Sequence, residues 1–124
     1  MSLAMNRKRD IAHSVLLVLE EIERTTTPEG THSRLYTAIQ VCQETLAFYT
    51  FNSLAGRERL LMRIQDLRDV ESIAALQGLI PVGSVMQRGI SIALHIGGAA
   101  LADADPKPRH VLREARELIE EVLA

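Results

Sequence analysis

Apolar residues recur along this chain at intervals of three and four, with polar residues between them, and that rhythm belongs to helices. Ile11, Val15, Val18 and Ile22 set the first stripe, which Ala12, Leu16 and Leu19 widen into a broad inward face, predicting a helix over Lys8 to Arg24. The stretch TTTPEGT then supplies Thr27 as a cap and Pro28 at a first helical position, where no amide donor is needed. A second helix follows from Pro28, or from Thr31 or Ser33 if Gly30 delays it, to Phe51, with Leu35, Ile39, Cys42, Leu46 and Tyr49 inward. Asn52 and Ser53 stop it and cap a third helix over Leu54 to Leu76. Its predicted inner face is Leu60, Leu61, Ile64, Leu67, Val70, Ile73 and Ala74, and its other positions carry charges of both signs.

The stretch GLIPVGS breaks the chain, because Pro81 disfavours helical backbone at Ile80. A fourth helix is predicted from Val82 or Ser84 to about Ala104. In DADPKPR, Asp105 is the expected cap and Pro106 the expected first position of a fifth helix, which runs to Leu123 and buries Val111 or Leu112, Ala115, Leu118, Ile119 and Val122. No apolar run alternates with period two, so no strand competes. The pattern predicts an all-α, up-and-down bundle of four long helices plus a shorter C-terminal fifth helix. One domain spans residues 8–124, behind a leader, 1–7, that is disordered or vector-derived.

The fourth helix departs from ordinary amphipathic design. From Ser72 through Ala102 the only full charge is Arg88, yet Gln77, Pro81, Gln87, Arg88 and His95 keep the run short of the roughly 20 uninterrupted apolar residues a membrane span requires. A helix apolar on nearly every side must instead be covered on every side. Gly89, Ala93, Gly97 and Ala100 form a face of minimal size, suited to close approach of a neighbouring helix. The expectation is that this helix sits at the centre of the bundle or along the seam of a two-fold homodimer.

Composition narrows the functional classes. A formal net charge of −2 lacks the basic footprint of a general nucleic-acid binder, and 3 % aromatic residues give no stacking platform for bases. Cys42 is the single cysteine, placed by helical phase among apolar neighbours, so an inert packed thiol is expected. No signal peptide is visible, and the location expected is cytoplasmic. The carboxylate-x-x-His pairs Asp10/His13 and Glu29/His32 have the spacing of bundle metal sites. In a hairpin, however, His13 falls about 16 Å below the end of its helix while His32 lies near the start of the next, so no metal is expected. His110 and Glu114 offer only two ligands of a site that needs more. No cofactor motif is present.

Arg88, Ser91 and His95 share one stripe of the fourth helix and are the candidate catalytic residues: a cation and an imidazole on one face could hold a phosphate and move a proton. In spacing, Arg88-x6-His95 resembles the motif of the HEPN family of small helical ribonucleases, whose paired motifs meet across a dimer. That resemblance implies metal-independent RNA cleavage by Arg88 and His95. The family usually places a polar residue directly after the arginine, where this chain has Gly89. The reading preferred from sequence is a non-enzymatic regulatory, adaptor or assembly protein that works through protein contacts and self-associates as a dimer. The HEPN-like nuclease is one alternative. The other is a binder of a small apolar ligand, held inside the bundle against the glycine and alanine face.

Overall fold

In three dimensions the helical rhythm becomes α1 (Leu3–Thr26), α2 (Tyr36–Phe51), α3 (Leu54–Leu76), α4 (Val85–Leu101) and α5 (Pro108–Leu123). The structure, a computed structural model, describes residues 3–26, 35–76 and 84–124, and among these there is no strand. The fold is an all-α bundle. The expected cap at Thr27, the start at Pro28, the Glu29/His32 pair and the break at Pro81 lie outside the described residues. Helix α1 begins at Leu3 and not at Lys8, because Leu3, Ala4, Met5, Arg7 and Lys8 favour helix by propensity alone and need no apolar stripe to do so.

The helix ends follow from local chemistry. Asn52 takes a left-handed backbone (φ 46°) that closes α2, and the Ser53 hydroxyl accepts the Gly56 amide at 3.0 Å, capping α3. Ser84 caps α4 in the same way, accepting the amide of Gln87 at 3.2 Å. Helix α4 stops at Leu101, short of the expected Ala104, because Asp103 turns left-handed (φ 52°). The Asp103 and Ala104 amides then reach back to the carbonyls of Ala100 and Ala99, the Schellman pattern that usually needs glycine. Helix α5 starts at Pro108 and not at Pro106. Asp105 Oδ1 accepts the Lys107 amide at 2.9 Å, and Lys107, itself left-handed (φ 54°), becomes the residue before the first turn.

Three polar links fix the direction of the helices. At one pole Arg57 Nη1 donates to the Leu101 carbonyl at 2.7 Å, and Lys8 Nζ lies 3.6 Å from Asp103 Oδ1. At the other, Arg88 Nη1 donates to Glu121 Oε2 at 2.5 Å. Successive helices therefore run up and down. These links are exposed or half-exposed and contribute little to stability; the bundle is held by the apolar cluster of Val15, Leu19, Ile22, Val41, Leu60, Leu67, Ile90, Ile96, Val111 and Leu118, all nearly inaccessible.

Helix α4 meets each of the other four helices, whereas α3 meets only α2 and α4 among the described residues. The small face of α4 explains how one helix serves so many neighbours. A Cβ at Gly89 would lie 3.2 Å from Leu19 and Leu35, and one at Gly97 would lie 3.0 Å from Val41 and Ile64. Ala93 and Ala100 are buried beside them. The missing side chains are the space into which α1, α2 and α3 insert theirs.

Gly98 shares none of this crowding, since nothing lies within 4 Å of a Cβ built there. Gly98→Ala should therefore stabilise the chain by about 0.5–1 kcal/mol through helix propensity alone, raising the melting temperature by roughly 2–5 °C. Gly97→Leu should lower stability by roughly 1–3 kcal/mol, because its side chain must displace Val41 and Ile64. Urea titration of the two variants checks both directions.

Candidate functional site

Helix α4 is enclosed on all but one edge, and that edge is the stripe of Arg88, Ser91 and His95. Arg88 is half-buried and the other two are exposed, while Gly89, Ile90, Ile92, Ala93, Ile96 and Gly97, on the other sides of the helix, are buried. The stripe looks onto α5 across a shallow groove. One hollow of about 210 Å³ lies between Arg88, Ser91, Glu114 and Glu117, and a second of about 190 Å³ between Ser91, His95, Lys107, His110 and Glu114. The fold thus brings the three sequence candidates to one surface and adds α5 residues that helical phase on α4 alone could not supply.

The partners of these groups define their chemistry. Arg88 is engaged by Glu121, and His95 Nε2 donates to the Pro106 carbonyl at 2.9 Å, so that nitrogen carries its proton. His110 Nε2 lies 2.8 Å from Glu114 Oε1, and Arg113 Nη2 lies 3.4 Å from His110 Nδ1. A phosphate entering the groove would have to displace Glu121 from Arg88 and sit beside Glu114 and Glu117. His95 could act as a base at Nε2 only after losing its bond to the α4–α5 connection. These contacts are those of a polar seam between two helices: Arg88–Glu121 joins α4 to α5, and His95–Pro106 anchors the connection between them.

No group of three or more His, Cys, Asp or Glu side chains that could hold a metal comes together among the described residues. Asp10 and His13 are exposed on α1. Cys42 is completely buried, and burial, reinforced by the Glu20 carboxylate, pushes its thiol far above the ordinary range, so the nucleophilic thiolate is suppressed. Among the described residues, no helix is long and apolar enough to cross a membrane. The Gly89, Ala93, Gly97 and Ala100 face, expected as a dimer seam or a ligand wall, is occupied within the chain: Leu19 and Leu35 lie against Gly89, and Val41 and Ile64 against Gly97.

The surface that sequence reasoning missed is the outer face of α3. Leu54, Leu61, Met62, Ile73 and Leu76 are exposed there, from 47 % at Leu61 to 89 % at Leu76, and Phe51 at the end of α2 is exposed as well. Leu61 and Ile73 had been assigned to the inner face, but at 100° per residue they turn away from Leu60, Ile64 and Leu67, which are buried. The signal was present in Leu60-Leu61-Met62, since three consecutive large apolar residues cannot all point to one side of a helix.

Tyr49 is the one described side chain with a buried polar atom lacking a hydrogen-bond partner, its hydroxyl. Burial, and then the charge of Asp103, raise its pKa to about 12. The neutral phenol is thus favoured in the native state, while the unfolded chain ionises near pH 10. The resulting stabilisation is present below about pH 10 and is lost as pH climbs toward 12. Tyr49→Phe should match or exceed the wild type at pH 7, since it removes an unsatisfied hydroxyl. It should also lose less stability than the wild type between pH 10 and 12, as measured by urea midpoints across that range.

Comparison of the chain with family models, with curated proteins and with solved structures gave no match.

Proposed function

We propose that the protein works through protein–protein contact, in a regulatory, adaptor or assembly role, and that the outer face of α3 is its contact surface. The observation that carries this reading is the run of Leu54, Leu61, Met62, Ile73 and Leu76 along the solvent side of one helix. Single exposed apolar residues are ordinary on any protein, but a set this large on one element is what interfaces use. Among the described residues α3 packs against α2 and α4 alone, so a partner can lie along its outer side without disturbing the core. The α4–α5 groove supports this reading by its pairing: Glu121 engages Arg88, Glu114 lies against His110, and Glu117 adds a further carboxylate to the lining, which leaves poor accommodation for a phosphate.

A photoreactive phenylalanine analogue in place of Met62 should give covalent adducts with protein when the cells producing the chain are irradiated. The same analogue in place of Glu120, on the exposed side of α5, should give none. Equal labelling from both positions, or none from either, overturns the reading. The nuclease alternative has its own test: RNA should remain intact with purified wild-type chain. Cleavage that disappears in His95→Ala would replace the contact reading with catalysis in the α4–α5 groove.

A further inference from the structure

We infer that the occupant of the outer α3 face is a second copy of this chain, lying antiparallel to the first about a two-fold axis near Gln65. The inference rests on the contact reading above and adds the identity and direction of the partner. Its first support is charge. The first half of α3 holds Arg57, Arg59 and Arg63 with one opposing carboxylate, Glu58, and the second half holds Asp66, Asp69 and Glu71 with one opposing cation, Arg68. A helix basic at one end and acidic at the other repels a parallel copy and attracts an antiparallel one. The antiparallel arrangement also opposes the two helix dipoles.

The second support is register. The apolar groups lie on both sides of the midpoint of α3, with Leu54, Leu61 and Met62 before it and Ile73 and Leu76 after it, and Gln65 stands exposed between them. Rotation about Gln65 sets Leu54 against the partner's Leu76, an apolar end against an apolar end, and Glu58 against the partner's Ser72. Arg59 comes level with the partner's Glu71, about 3 Å along the helix from the partner's Asp69, which lies on the same flank as Arg59. A two-fold interface must be complementary to itself in this way, each patch meeting a different patch of the identical surface. Within the chain Arg59 already lies 3.5 Å from Glu44 and is half-exposed, so its guanidinium is positioned at the rim with donors to share.

Sedimentation of the purified full chain from low to high micromolar concentration should show a reversible monomer–dimer equilibrium. Leu61→Glu with Ile73→Glu should shift it to monomer while leaving the circular dichroism unchanged and the melting equal to that of the dilute, monomeric wild type, because both positions are exposed. Arg59→Glu should weaken the dimer by roughly tenfold, and adding Asp69→Arg should restore it. Gln65→Cys should form a disulfide with its own copy under mild oxidation, while Glu120→Cys should not; Cys42 is buried and stays silent. A wild type that remains monomeric overturns the second-copy inference, and if Met62 still gives adducts with another protein the contact reading stands without it. A dimer that survives Leu61→Glu with Ile73→Glu overturns the placement on α3. A dimer that fails to link through Gln65→Cys overturns the register.

Discussion

The bundle depends on two absent side chains. At Gly89 and Gly97 the backbone of α4 comes near enough for Leu19, Leu35, Val41 and Ile64 to fill the volume that any larger residue would occupy. Each glycine weakens the helix by about 1 kcal/mol relative to alanine, and close packing offsets that loss. Because α4 can be approached so closely, it has neighbours on nearly every side. Its one open edge then has to carry the polar residues Arg88, Ser91 and His95. Arg88, Ser91 and His95 thus mark the solvent edge of a helix enclosed elsewhere.

Much of the fold was legible because its boundaries rest on local chemistry. The limits of α3, Leu54 and Leu76, follow from Asn52 and Ser53 before it and from the apolar period within it. The start of α4 at Ser84 follows from a side chain that can cap. Two of the misread boundaries share another cause, a left-handed backbone at residues other than glycine. Asp103 ends α4 early, and Lys107 moves the start of α5 from Pro106 to Pro108. Aspartate adopts that conformation more readily than most residues, but nothing in a sequence marks which aspartate will do so.

The functional surfaces were legible to different degrees for a related reason. Position along one helix could place Arg88, Ser91 and His95 on a common stripe, but their partners Glu121 and Pro106 come from tertiary packing. The small face of α4 was legible as a row of minimal side chains, but the neighbours at Gly89 and Gly97, which are Leu19, Leu35, Val41 and Ile64, could not be identified from periodicity. Helix α3 shows the opposite failure. A single inward stripe takes in Leu61 and Ile73 and leaves Leu54, Met62 and Leu76 on neither face, whereas the helix turns all five toward solvent and Leu60, Ile64 and Leu67 toward the core.

An odd number of antiparallel helices separates what an even number would bring together. Helix α1 begins at the pole where α5 begins, so α5 ends at the far pole, displaced by its own length, which for 16 residues is about 24 Å. Polypeptide joined ahead of α1 and polypeptide joined behind α5 would leave from opposite ends of the barrel-like stack.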